Sequence, residues 1–185
     1  MLFWQENNIT LYCGDALGIL RKFPSRSVQC CVTSPPFFGL RDYGVDGQAG
    51  LEATPDDYVA NMVRIFREVL RVLRDDGVLW LNIGDSYCCS ATGSLSAKSS
   101  RMTGGRLHQA EASKRPDKSR CGLKPKDLIG IPWRLAFAMQ ADGWCLRSDI
   151  IWSKPNAMPS SVKDRPTSAH EYVFLLTKSA KYYYN

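Results

Sequence analysis

A β-rich run, Val28-Gln29-Cys30-Cys31-Val32-Thr33, ends against two consecutive prolines, Pro35 and Pro36. This junction constrains the fold more than any other feature of the chain. The run lacks clean polar–apolar alternation, so it reads as a strand with both faces covered by helices. Two prolines cannot extend a central strand, because each lacks an N–H and has a fixed φ, so the backbone must turn out of the sheet there. A second covered run, Val78 to Ile83, follows after a long amphipathic segment. In that segment Thr54 can cap, Pro55 suits the first helical position, and Asp56 and Asp57 sit at the positive end of the helix dipole. Tyr58, Met62, Ile65, Phe66, Val69, Val72 and Leu73 form its apolar stripe through Arg74, and Asp76-Gly77 supplies the stop.

The remaining segments follow the same grammar. Ile9 to Cys13 is a short apolar run stopped by Gly14-Asp15, and Leu17 and Leu20 mark a helix over Ala16 to Lys22. Lys126 to Gln140 returns to helical spacing with Leu128, Ile131, Trp133, Leu135 and Met139. Leu146 to Trp152 and Glu171 to Thr177 read as two further strands. The order β-α-β-α-β, loop, α-β-β predicts an α/β protein with a doubly wound sheet and room for an antiparallel edge. Residues 1–185 read as one domain, interrupted at 90–125 by a loop insertion without period.

That insertion holds the chain's charge asymmetry. The net charge is +6. Between Ala91 and Lys126 there are nine basic residues against Glu111 and Asp117, a local excess of +7, so the rest is nearly neutral. Lys98, Arg101, Arg106, Lys114, Arg115, Lys118 and Arg120 are candidate contacts for a polyanion. A solvated loop is the competing reading. No apolar run approaches the roughly 20 residues of a membrane span. The N-terminus lacks the basic-then-apolar pattern of a signal peptide, so the cytoplasm is the expected compartment. Seven cysteines without a Cys-x-x-Cys pair, and an isolated His108 and His170, predict reduced thiols and no metal site. Cys30, Cys31 and Cys145 are expected as small buried apolar residues.

The chemistry concentrates in Ser34-Pro35-Pro36-Phe37. Ligands of open α/β sheets bind beyond the carboxyl ends of strands, where this loop lies. A stiff turn lets carbonyls point outward as fixed acceptors, and an aromatic ring follows at once. Such a site suits a planar substrate with an exocyclic amine. The Ser34 hydroxyl and a prolyl carbonyl can accept its two N–H bonds while Phe37 stacks on the ring. Acceptors that draw the nitrogen toward tetrahedral geometry localise a lone pair otherwise delocalised into the base.

The motif resembles the catalytic motif of amino-group DNA methyltransferases, and its Ser-Pro-Pro form is more similar to the cytosine-N4 enzymes than to the Asp-Pro-Pro form of adenine-N6 enzymes. The resemblance extends through Val32 to Gly44, Leu70 to Arg74 with Gly77, Asn82 to Ser86, Trp152 to Asn156, Asp164-Arg165 and His170-Glu171. It implies a Rossmann-like methyltransferase sheet, S-adenosylmethionine as methyl donor, a flipped base in double-stranded DNA, and transfer to cytosine N4. Ser34, Pro35, Pro36 and Phe37 would hold and activate the base. Asp15 and Ser34 would meet the cofactor. Adenine-N6 methylation, methylation of RNA or of a protein amide, and a non-catalytic DNA-binding fragment remain as alternatives. Family members with this motif order carry a Phe-x-Gly-x-Gly cofactor segment after the catalytic half, and none occurs here. The expectation is an incomplete cofactor site, completed by a C-terminal half or a second chain.

Plainer readings stand beside these. Gly14-Asp15 before an apolar-periodic run is also good capping chemistry. Gly84-Asp85-Ser86 is equally a strand-to-helix turn. Trp80, Trp133 and Trp144 are expected in the core, His170 in a structural role, and Tyr182 to Tyr184 in a further strand.

Overall fold

The computed structural model describes residues 2–88, 122–157 and 159–185. Its elements run β1 (Leu2–Glu6), β2 (Ile9–Tyr12), α1 (Ala16–Leu20), β3 (Val28–Thr33), α2 (Pro55–Val72), β4 (Leu73–Ile83), α3 (Ile131–Ala141), β5 (Cys145–Ser153) and β6 (His170–Thr177). Four strands form one sheet in the order β3-β4-β6-β5. β3 and β4 are parallel, joined across α2. β6 inserts antiparallel between β4 and β5 and supplies the antiparallel edge. β1 was not expected from the sequence. It pairs with β2 as a separate hairpin, so the Ile9 run belongs to that hairpin and not to the main sheet.

Local chemistry sets the helix limits. The Thr54 hydroxyl accepts from the Asp57 N–H at 3.1 Å, and Pro55 occupies the first turn of α2. Tyr58, Met62, Phe66, Val69 and Val72 are the buried stripe. The helix stops at Val72 rather than Arg74, because Leu73 turns extended (ψ 142°) to pair with Val28. β4 therefore begins before the Asp76-Gly77 stop. The register jumps from Val28–Leu73 to Cys30–Val78, and the extra β4 residues are absorbed in a bulge.

α3 starts at Ile131, later than the periodicity of 126–140 suggests. Gly130 is left-handed at φ 78°, and Pro132 lies in the first turn. No side chain of its own caps this helix. Asp85 does so across the sequence, its carboxylate accepting from the Gly130 and Ile131 N–H groups at 3.0 and 3.1 Å. A carboxylate at a helix N-terminus meets both orphan donors and the positive end of the dipole. The Gly84-Asp85-Ser86 turn is thus the cap of a helix distant in sequence. Leu128, expected on the helix, is exposed and forms an isolated bridge with Tyr87.

Alternation along β4 divides the sheet into two faces. Leu79, Leu81 and Ile83 are fully buried, with Phe174 and Leu176 of β6, in one core with Met62, Phe66, Leu135 and Met139. The opposite face carries Val32, Trp80, Val173, Leu175 and Ile150 by register. Among the described residues no helix packs over it as α2 and α3 pack over the first, and Val32 is 78% exposed. The described residues thus show helices over one face of β3. A continuous apolar run records that both faces avoid water, not which segment covers them. Cys30, expected buried, is exposed on this face. Cys31 and Cys145 are half-buried, and the Cys31 thiol is pushed up to about 11, mainly by that burial. Trp144 is core as expected, and Trp133 packs edge-on against Phe174, whereas Trp80 is only half-buried. Tyr182 to Tyr184 lie outside any strand, with Tyr183 and Tyr184 exposed. No described helix is long and apolar enough to cross a membrane.

Candidate active site

The parallel strands β3 and β4 end side by side, and the chain leaves β3 through Ser34-Pro35-Pro36-Phe37. The turn is held from beneath. Tyr58, fully buried on α2, donates its hydroxyl to the Pro36 carbonyl at 3.0 Å. Burial, with the nearby Glu52 charge, pushes the Tyr58 phenol far up, so it remains a donor. The Ser86 hydroxyl donates to the Phe38 carbonyl at 3.3 Å. Phe38 itself is buried with its ring 5.6 Å from that of Tyr58, which makes it an anchor of the core. Gly50, at φ +95°, backs onto the turn; a Cβ there would lie 3.1 Å from the Phe37 carbonyl oxygen.

A cavity of about 350 Å³ opens at this turn, lined by Ser34, Pro35, Pro36, Phe37, Leu40, Arg41, Tyr43 and Glu171. All four candidate base-holding residues therefore share one hollow. Tyr58 occupies the Pro36 carbonyl, whereas the Pro35 carbonyl accepts no hydrogen bond among the described residues. The prolyl acceptor expected from the sequence is thus narrowed to Pro35. The Phe37 ring lies against Gly84 at the end of β4: a Cβ there would fall 2.7 Å from its Cε2. Gly84 permits this close approach.

Behind Ser34 lies a polar chain that sequence reasoning did not assign. The Ser34 hydroxyl donates to Asn82 Oδ1 at 3.1 Å. Asn82 Nδ2 donates to Glu171 Oε2 at 3.3 Å and to the Tyr172 carbonyl at 3.2 Å. The other oxygen of Glu171 is ion-paired with Lys154. Asn82, Glu171 and Lys154 fall within stretches that carry the family resemblance, but only strand pairing brings them together.

Other candidates sit elsewhere. Asp15 is the N-cap of α1, its Oδ1 accepting from Gly18 N–H at 2.7 Å, and it does not line the cavity. Its side chain is exposed, so the second oxygen remains open to a donor. Lys98, Arg101, Arg106, Lys114, Arg115, Lys118 and Arg120 lie outside the described residues. Asp164 pairs with Lys126, which holds its carboxyl below the ordinary carboxylate value. Arg165 stacks over Tyr87 at 3.7 Å, tying the 159–169 segment to the bridge between Tyr87 and Leu128. His170 packs edge-on against Tyr172.

A parallel βαβ unit, an antiparallel β6 and a diproline cavity at the strand ends define a Rossmann-like domain of the methyltransferase type. The chain belongs to the N6/N4 DNA methylase family, which matches it over residues 28–185. It is 55% identical to the Type II methyltransferase M.Cfr9I of Citrobacter freundii over 97% of its length, and 54% identical to M.SmaI of Serratia marcescens over 93%. It spans 57% and 56% of those relatives, little more than half of each. Among solved structures, the cytosine-N4-specific PvuII DNA methyltransferase superposes with a TM-score of 0.60, over 94% of this chain and 50% of that one. The Thermus thermophilus protein TTHA0409, complexed with S-adenosyl-L-methionine, gives 0.58 over 93% and 54%. At 20% identity both likenesses are of fold.

Proposed function

We propose that this chain carries the base-binding and catalytic half of an amino-group DNA methyltransferase that methylates cytosine N4. The observation that carries the reading is the cavity at the end of β3, which Ser34, Pro35, Pro36 and Phe37 line together. A flipped base enters with its exocyclic amine toward Ser34 and Pro35, at a cost of a few kcal/mol of unstacking. The two oxygens accept its N–H bonds and localise the nitrogen lone pair. Phe37 faces the ring, and Tyr58 keeps the diproline turn from yielding. S-adenosylmethionine, when bound, would supply the electrophilic methyl group, with Asp15 and Ser34 as the residues of this chain that face it. The open Asp15 oxygen is an acceptor suited to that role. The cytosine preference rests on Ser34 in place of an aspartate.

The test is incubation of the protein with labelled S-adenosylmethionine and unmethylated DNA, followed by identification of the modified base. N4-methylcytosine is expected. N6-methyladenine would move the assignment within the class, and 5-methylcytosine alone would refute it. The basic residues from Lys98 to Arg120 contact phosphates in this reading, so DNA affinity falls steeply with salt, and a substitution such as Lys114→Ala lowers the log–log slope by about one. An affinity independent of salt would remove them from the interface.

A further inference from the structure

Three features lie outside the function just proposed. The hollow between α2 and α3 is lined by Val59, Ala60, Val63, Ala138 and two ion pairs, and holds nothing that points to a ligand. The exposed sheet face around Val32 has no occupant that the structure identifies. The chain behind Ser34 is different, because each link constrains the next.

We propose that Glu171 and Lys154 are positioning residues that set the direction of the Ser34 O–H bond. This role rests on Ser34 being a base acceptor. Asn82 Nδ2 faces Glu171 Oε2 and the Tyr172 carbonyl. Neither a carboxylate nor a carbonyl can donate. Turning the amide over would set its oxygen against two acceptors, so the amide has one orientation and Oδ1 must face Ser34. Oδ1 has no proton to give, hence the Ser34 hydroxyl donates to it, at 3.1 Å. The Ser34 proton is thereby held away from the incoming amine, and the oxygen lone pairs remain free to accept N–H bonds. Lys154, ion-paired with the other oxygen of Glu171, fixes where the carboxylate stands against Asn82. Without it the hydroxyl is free to rotate and oppose the amine donor to donor. Register makes the arrangement possible: Asn82 pairs with Val173 and Trp152 with Glu171, which brings the ends of β4, β5 and β6 together beside β3.

The experiment is a double-mutant cycle in the protein, with unmethylated DNA and labelled S-adenosylmethionine, read as single-turnover rate and DNA affinity. Glu171→Gln preserves shape but can present an amide donor to Asn82, letting it turn over. It is expected to lower the rate about 10- to 100-fold, the equivalent of one hydrogen bond to a charged group, with DNA affinity nearly unchanged. Lys154→Met acts in the same direction and Lys154→Arg restores the rate. The decisive arm is Ser34→Ala, expected to cost about 100-fold or more. In that background Glu171→Gln should cost nothing further, because there is no hydroxyl left to orient. If the two losses multiply, Glu171 acts on the base itself or on the fold, and the positioning role is wrong. Full activity of Ser34→Ala would instead refute the base-acceptor reading beneath it. A thermal melt of each variant separates loss of fold from loss of rate, and a collapsed Glu171→Gln would overturn the proposal in favour of a structural role.

Discussion

The two faces of the sheet do different work. One is buried under α2 and α3 with Leu79, Leu81, Ile83, Phe174 and Leu176 at its centre. The other bears Val32 at 78% exposure, Ile150 at 40% and Trp152 at 58%, and at its end the polar chain of Ser34, Asn82, Glu171 and Lys154. Period-two alternation assigns both sets from the same strands. The helix-covered face fixes where the strand ends lie, and Tyr58 reaches from it to lock Pro36. The opposite face carries the polar groups that stand behind Ser34. The buried core and the candidate site are thus separated by a single step along each strand.

Substitutions can break or sharpen that contrast. The largest effect is expected at Leu81, where truncation to alanine should cost about 2–5 kcal/mol by denaturant unfolding. Val32→Ser, on the opposite face of the neighbouring strand, should stay within about 0.5 kcal/mol. A Val32 as sensitive as Leu81 would mean that the second face is equally packed. Next in size is Tyr58→Phe. It leaves the Pro36 carbonyl without its donor, at about 1–3 kcal/mol, and should slow methyl transfer as the turn loosens. Unaltered stability would show that the turn is held by packing alone.

Gly84→Ala should cost about 1 kcal/mol or more by the overpacking it forces, since the new methyl group meets the Phe37 ring at 2.7 Å. The ring borders a cavity and can swing into it, so base binding should suffer more than folding; a variant with unchanged DNA binding would free Phe37 from its stacking role. The smallest effect lies at Asp164. Its folded carboxyl titrates below the ordinary 3.8 because of Lys126, so the pair's contribution is present above that pH and fades as pH falls through the folded value. The pair is exposed, and only a slight lowering of Tm by Asp164→Asn is expected near neutrality, vanishing in acid. An advantage of wild type that persists in strong acid would place the effect elsewhere.

The Ser34–Phe37 turn was legible because proline, serine and aromatic residues carry their chemistry locally. Capping of α2 by Thr54 was legible for the same reason. The polar chain behind the motif was not. Asn82 and Glu171 are 89 positions apart and look like ordinary strand residues until β6 slides between β4 and β5. The start of α3 is not visible in its own segment, because its cap comes from Asp85 and not from a neighbour. The Ile9 run reads like a sheet strand, and only its pairing with β1 puts it in a separate hairpin.

By itself the sequence determined the order of elements from β2 onward, the break at Pro35-Pro36 and the concentration of positive charge between 91 and 126, since each depends on residues within a few positions of one another. Only the tertiary structure decided which face of each strand is covered, which carbonyl of the diproline stays open and which side chains stand behind Ser34. Those outcomes depend on register between strands far apart in the chain, and a shift of one residue would exchange the two faces.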